Sequence, residues 1–425
     1  MNRIEQQVTI SGSPKTFRIG WAVLSSALVL LGLVAFLRGI SGPQAQRVWH
    51  AYLVNFLFWM GLANGAVLFV AALNMTQARW ARPMKRLAEA FGAFLPVGLL
   101  LFGVLYFGRN EIFPWIRDPV PEKAAWLNAG FLFARDGVGL LLLSALGVAL
   151  VSFSVKGDKA FLSKSFQEPM APRGQHPLSP SAGMNHERIS ACWHAQVILS
   201  PILVIAGGFV LSLVAIDLIM SLDPSWVSTL FGAYYFLGSF YAGLAAVAVL
   251  SALSLKTPGL GEFMPPRYFH DLGKLVFAFC LLTGYFFFAQ FLTIWYGNLP
   301  AETRYVLLRL HRSPWEPLAW TILGAAFILP FVVLLSRRVK MGSVSLMGVS
   351  LLILIGMWLE RYLLVVPSYW KENHLPIGLP EVFITAGFLG LVALSLILFL
   401  RSFPLLPFSD PLFQKLIEPE REDIG

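Results

Sequence analysis

The sequence predicts an all-α integral membrane protein of about ten transmembrane helices, on three observations. The 425-residue chain is 57% hydrophobic and only 13% charged, with a mean hydropathy of +0.69, which is too apolar for a soluble domain of this size. Its apolar residues gather into runs of roughly 20, each long enough as helix to cross about 30 Å of hydrocarbon. Gly, Pro, Asn and Ser fall between the runs, where the chain must turn.

Taken in order, the runs lie at 20–38, 51–74, 88–107, 128–154, 193–219, 227–254, 272–296, 316–336, 342–363 and 380–402. Residues 1–19 form a polar leading segment with Lys15 and Arg18 just ahead of the first run. That run is too long for a signal-peptide core and has no small-residue cleavage site, so it is expected to stay as a span. The longest connection, Lys156 to Cys192, holds Pro169, Pro172, Pro177 and Pro180 and reads as an extended loop, dividing the chain into four spans before and six after. Residues 403–425 form the C-terminal tail.

Ten crossings put both ends on one side of the membrane. The leading segment, the even-to-odd connections and the tail hold 20 Lys and Arg, counting Arg401 at the end of its run, against 10 in the opposite connections, counting Arg38 and Arg361 near the ends of theirs, with Arg135 and Lys274 set aside as intramembrane. The positive-inside rule then places both ends and the 156–192 connection in the cytoplasm. The net charge of +9 is spread over short loops, which suits orientation and anionic lipid and argues against nucleic acid. The two cysteines, Cys192 and Cys280, sit in different runs without C-x-x-C or C-x-x-C-H, so the sequence supports no disulfide scaffold, iron–sulfur cluster or covalent haem. No span carries H-x-x-x-H, and no metal site is expected.

Function is most legible in the ionisable residues within or at the ends of the runs: Glu89, Arg135, Asp136, His194, Asp217, Lys274 and Glu360. A charge near the bilayer centre costs roughly 2.5–3.5 kcal/mol on insertion scales, so such groups are paired, watered or used. Arg135 and Asp136 are neighbours, and successive helical residues point about 100° apart, so each needs a partner elsewhere. For Asp136 a structural ion pair and a proton or quinol role stand level. Asp217, about one turn inside the boundary, is the leading proton carrier, whereas Asp223 before Pro224 reads as a turn residue. On the cytoplasmic side, His194 is a candidate proton relay and Asp271 suits a helix N-cap paired with Lys274. Tyr234, Tyr235, Ser239, Thr283, Tyr285 and Gln290 could continue a hydrogen-bonded path or serve as interhelical contacts. Two half-routes for protons follow: Glu89, His194, Asp271 and Lys274 from the cytoplasm, and Asp136, Asp217 and Glu360 from outside.

Two segments carry a resemblance. Asp217-Leu218-Ile219-Met220-Ser221-Leu222-Asp223-Pro224-Ser225-Trp226-Val227-Ser228-Thr229-Leu230-Phe231-Gly232 and Phe288-Ala289-Gln290-Phe291-Leu292-Thr293-Ile294-Trp295-Tyr296-Gly297-Asn298-Leu299-Pro300-Ala301-Glu302-Thr303 resemble the ActF-type membrane subunit of alternative complex III, within the NrfD-like, polysulfide-reductase-type anchor family. The resemblance is strong from about His194 to Thr303 and extends elsewhere to span number and length. It implies two antiparallel four-helix bundles, spans two to five and six to nine, with the first and last spans peripheral. It implies a respiratory subunit without a redox cofactor of its own, supporting assembly and proton translocation during quinol oxidation. The implied partners are a paralogous NrfD-like anchor, an iron–sulfur subunit, c-type haem subunits, a terminal oxidase in some assemblies, and membrane lipid. The family's quinol site is assigned to the paralogous anchor; in this chain His50 and Asp136 are the candidates for quinone contact.

Two rivals stand beside this reading. One is a secondary transporter, although Pro96, Pro201 and Pro330 give no matched pair of broken helices in two halves. The other is a structural anchor whose charges are all paired.

Overall fold

The computed structural model describes residues 15–167, 180–257 and 259–417. Ten helices are long and apolar enough to cross a membrane. They are α1 (Ile19–Ile40), α2 (Ala45–Met75), α3 (Arg82–Ile112), α4 (Ala129–Leu162), α5 (His186–Leu222), α6 (Phe231–Ser254), α7 (Pro266–Gly297), α8 (Trp315–Leu335), α9 (Ser343–Ser368) and α10 (Leu379–Ser402). No strand occurs among the described residues. The protein is an all-α, multi-pass membrane protein.

Several spans extend past their hydropathy boundaries, and in α3, α4 and α5 the extensions have physical reasons that bear on the site. Pro83 at the first turn, with its φ already helical, lets α3 begin at Arg82, so the charged stretch Arg82–Glu89 is helix rather than loop. A 3-10 turn, Phe91–Phe94, then precedes Pro96, which cannot donate into an α-ladder. The connection expected as an extended loop from Lys156 to Cys192 is instead largely helix. The helix containing α4 runs to Gln167 and that containing α5 starts at Pro180, while Pro169, Pro172 and Pro177 lie outside the described residues. Asp158, in this continuation, is buried and bonded, which ties the extra turns of α4 to the bundle.

The core is built around α2 and α6. α2 packs against α3, α5 and α6, and α4 lies on α5 and α3. α6 packs against α7 and α9, and α8 lies on α9 and α7. The crossing of α2 and α6 is tight because its residues are small: a Cβ on Gly65 would fall 2.1 Å from the Ser239 carbonyl oxygen. Without a hydrophobic driving force in lipid, this close approach of backbones is what favours association. α1 touches the rest mainly through α10, where Gly32 meets Gly387. Its exposed Val23, Leu30 and Leu37 face the hydrocarbon.

With ten spans the described ends share one face, here the terminal face; the 1–2, 3–4, 5–6, 7–8 and 9–10 connections form the distal face. On the terminal face the segment after α10 returns to the bundle, burying Leu406, Phe408, Asp410 and Phe413. On the distal face a helix, Pro300–Leu310, bridges α7 and α8. Midway along α8, Leu323–Ile328 forms a π turn before Pro330. Pro330 cannot donate to the carbonyl four residues back, that of Ala326; the Tyr241 hydroxyl donates to it instead, at 3.1 Å, and the Cys280 thiol lies within 3.9 Å.

Candidate functional site

The terminal face holds a buried charge cluster at the start of α3. Arg82, Lys85 and Arg86 meet Glu89, Asp158 and Asp410, and all six are buried. Asp410 Oδ2 accepts from Lys85 Nζ at 2.8 Å and from Arg82 Nη1 at 2.9 Å. Arg86 donates to Glu89 at 2.5 Å and to Asp158, whose other oxygen accepts from the Ser409 amide and hydroxyl, each at 2.7 Å. Lys85 also donates to Gln196 on α5, and Arg82 to Asn74 on α2, each at 2.9 Å. Burial by itself would push the Asp410 carboxyl up, but Lys85 and Arg82 outweigh it and hold it below the usual range. Three positive and three negative groups balance here. The cluster locks the C-terminal segment onto α3, α4 and α5.

On the distal face, α4 and α5 bring three of the intramembrane charges together. The Arg135 guanidinium donates from Nε and from Nη2 to the Asp217 carboxylate, the latter at 2.5 Å, and Trp126 Nε1 donates to the same carboxylate at 2.9 Å. The partner that Arg135 needs elsewhere is therefore Asp217. Asp136 sits close enough to Asp217 and Arg135 to feel both charges and lies within hydrogen-bond reach of the Asp217 carboxyl, and no N–H or hydroxyl group donates to either of its oxygens. One guanidinium thus serves two carboxyls, and it is spent on Asp217. A buried carboxyl without a donor is completed by a proton or a ligand.

The second group of spans encloses a cavity of about 570 Å³ near the distal face, bounded by α6, α7, α8, α9 and the Pro300–Leu310 helix. Glu360 on α9 reaches it; one of its oxygens accepts from Arg361 at 2.6 Å and the other has no partner. Tyr234 lies beside Glu360. At the distal end Tyr305 stacks on Trp226, with centroids 3.8 Å apart and an interplanar angle of 3°, and the Arg309 guanidinium lies 3.5 Å from the Tyr305 ring centroid. Burial pushes the Tyr305 hydroxyl up to about 12, so it stays a donor.

Neither family models nor curated proteins match the chain.

The remaining sequence candidates are scattered. Glu89 is enclosed by the α3 cluster. His194 is exposed on α5, with its Nδ1 against the Ser190 carbonyl at 2.9 Å. Asp271 and Lys274 pair with each other at 2.6 Å on α7, but Asp271 is not the expected N-cap: α7 starts at Pro266, which places Asp271 in its second turn. Among the described residues no hydrogen bond or ion pair joins these groups into one route. Tyr285 is 62% exposed at the cavity mouth. Tyr235 donates to the Leu57 carbonyl and Ser239 to the Tyr235 carbonyl, each at 2.8 Å, so both serve as helix contacts. His50 is buried against Tyr369, centroids 3.7 Å apart, and neither His50 nor Asp136 lines the cavity.

Several functional groups escaped the sequence reading. A hydropathy window ends a span at charge and so leaves Arg82, Lys85 and Arg86 in a loop; the i,i+3 and i,i+4 spacing of Arg86 and Lys85 to Glu89 is the signal that places them on a helix. Arg361, counted with the loop cations, is buried on α9 beside Glu360. Asp158, Asp410 and Trp126 had no local signal, because their partners lie 72, 328 and 91 residues away.

Proposed function

We propose that the chain is the membrane subunit of a respiratory quinol:acceptor oxidoreductase of the alternative complex III type, supporting assembly and moving protons as quinol is oxidised. It lies in a bacterial inner membrane with both ends cytoplasmic, contributes no redox centre, and joins a paralogous anchor, an iron–sulfur subunit and c-type haem subunits. The resemblance at Asp217–Gly232 and Phe288–Thr303 supports the complex. Asp136 carries the proton role: it is a carboxyl buried in a membrane span, beside an ion pair that has already used the local cation, with no donor to either oxygen. Such a group is costly to keep and suits proton exchange.

The test is purification from native membranes in mild detergent, followed by identification of what accompanies the chain. Iron–sulfur and c-type haem subunits are expected. A chain that emerges alone and moves a solute across liposomes would replace this reading with a secondary transporter.

A structural anchor is the second reading, favoured by the pairing of Asp217, Glu89 and Glu360 with Arg135, Arg86 and Arg361. Proton stoichiometry separates the two, because an anchor moves none.

A further inference from the structure

We infer that the cavity bounded by α6–α9 binds the hydroxylated aromatic head of a membrane-soluble ligand, the chemical class of a quinol, with the ligand hydroxyl donating to Glu360. The choice of a quinol-class ring rests on the proposed function; the site rests on the cavity. Its volume of about 570 Å³ lies within the roughly 300–1,000 Å³ of small-molecule sites.

Four residues of its wall carry buried polar atoms without any hydrogen-bond partner: Trp226 Nε1, Thr283 Oγ1, Tyr305 Oη and Glu360 Oε1. Buried polar groups are almost always paired, so four orphans around one space mark a missing partner. Arg361 holds the other Glu360 oxygen, which fixes the carboxylate and leaves Oε1, beside the Tyr234 hydroxyl, to accept from a ligand in the cavity. Trp226 Nε1 is a donor, and the two hydroxyls can donate or accept, so a ring with oxygen substituents can answer all four.

The rest of the wall is largely apolar and aromatic, including Phe231, Phe291 and Phe327. An acyl chain would fill this space but leave the polar atoms unpaired; a sugar-like solute would leave the aromatic wall unmatched. Access also favours a lipophilic ligand. Tyr285, Phe287 and Phe288 line the cavity from α7 and are exposed on the protein surface, which makes that side an entrance from the hydrocarbon. The π turn Leu323–Ile328 supplies part of the wall, and such turns recur at functional sites because they displace side chains from the regular helical register.

The experiment measures binding of tritiated decyl-benzoquinol to the purified full-length chain in detergent, with n-decylbenzene and phospholipid as competitors. Saturable binding at one site per chain is expected, with decylbenzene competing at least about tenfold more weakly because it lacks the hydroxyls. Glu360→Gln should weaken binding about tenfold, the factor for one lost charge-assisted hydrogen bond. Leu323→Trp, which fills the cavity while leaving every polar group and the Glu360–Arg361 pair in place, should abolish it. Because Glu360→Gln leaves Arg361 without its counter-charge, the Leu323→Trp variant and the decylbenzene competition decide the matter if that protein does not fold. Absence of saturable binding, unchanged binding in Leu323→Trp, or equal competition by decylbenzene or phospholipid would overturn the site. Redox subunits that co-purify with a chain that binds no quinol would remove this site and leave the proposed function standing. Binding by a chain that purifies alone would do the reverse.

Discussion

Arg135 and Asp217 form a two-pronged ion pair between α4 and α5, and the Arg135 guanidinium also lies 3.8 Å from the centroid of the Trp126 ring. The same Trp126 donates to Asp217, so three side chains hold the 3–4 connection against the bundle. Beside it, Lys123 Nζ donates to the Pro224 carbonyl at 2.6 Å, which joins the 3–4 and 5–6 connections. Asp217 is thus a structural group first, and Asp136 beside it is the carboxyl that no cation pairs.

Asp217→Asn should therefore destabilise the protein, because Arg135 keeps its charge and loses its counter-ion. Breaking one half of a buried pair costs about 3–5 kcal/mol. Thermal unfolding of the purified chain should show a clear drop, partly recovered in Asp217→Asn combined with Arg135→Gln. A single variant as stable as the wild type would show that the pair contributes nothing to the fold.

Asp410 gives a pH dependence with a definite sign. Its folded-state pKa lies below its unfolded value, because Lys85 and Arg82 outweigh burial. Its contribution to stability is then complete above the unfolded value of about 3.9 and is lost as pH falls through the folded value. Asp410→Asn should be less stable than the wild type at neutral pH, and the difference should close below about pH 4. Melting temperatures of both proteins across pH, with protease access to the C-terminal segment, check this. A difference that persists unchanged into that acid range would mean that packing, not charge, holds the segment.

The fold was legible because a bilayer imposes a simple length rule, and each of the ten runs became a helix. Its errors fell where helices carry charge: α3 starts earlier at Arg82, and the helix of α4 continues to Gln167. Hydropathy cannot see that Arg86 and Asp158 neutralise each other across 72 residues. The candidate site was only partly legible. Intramembrane acids such as Asp136 and Glu360 stand out by type, but which of them owns a cation depends on long-range packing. The cavity had no sequence signal, since Thr283, Tyr305 and Glu360 come together only when three separate helices pack.

Orientation can be read from side chains on opposite faces. Glu372 and His374 are exposed in the 9–10 connection, and Lys256 is exposed in the 6–7 connection. Burial removes cations from both sides of the Lys and Arg count, Arg82, Lys85 and Arg86 from one and Arg309 and Arg361 from the other, so the bias keeps its sign. In a background lacking Cys192 and Cys280, Glu372→Cys should react with an impermeant maleimide in intact cells, and Lys256→Cys only after permeabilisation. The opposite pattern would invert the topology.

Arg309 is a clamp on the distal end of α9. Its guanidinium donates to the Leu363 carbonyl at 3.2 Å, the Leu364 carbonyl at 3.0 Å and the Ser368 hydroxyl at 3.2 Å. Arg309→Ala removes these donors from buried acceptors, at a cost of about 1–3 kcal/mol. Arg309→Lys should recover little, because a single ammonium does not reproduce the planar fork that reaches all three. Thermal unfolding distinguishes the outcomes, and full recovery by lysine would reduce the role of Arg309 to that of a charge over Tyr305.

Asp136→Asn tests the proton role with the least structural disturbance. The two side chains have nearly the same shape, and because no donor is bonded to Asp136, its replacement orphans none; the Arg135–Asp217 pair also stays whole. The complex should assemble at wild-type yield and oxidise quinol measurably, while fewer protons move per electron in proteoliposomes. Glu89→Gln provides the contrast. It removes a counter-charge from Arg86 inside a closed cluster, so lower stability is expected before any change in coupling. If Asp136→Asn assembles and its proton stoichiometry equals that of the wild type, Asp136 is not on the path, and the structural-anchor reading gains at the expense of the proton-carrying one.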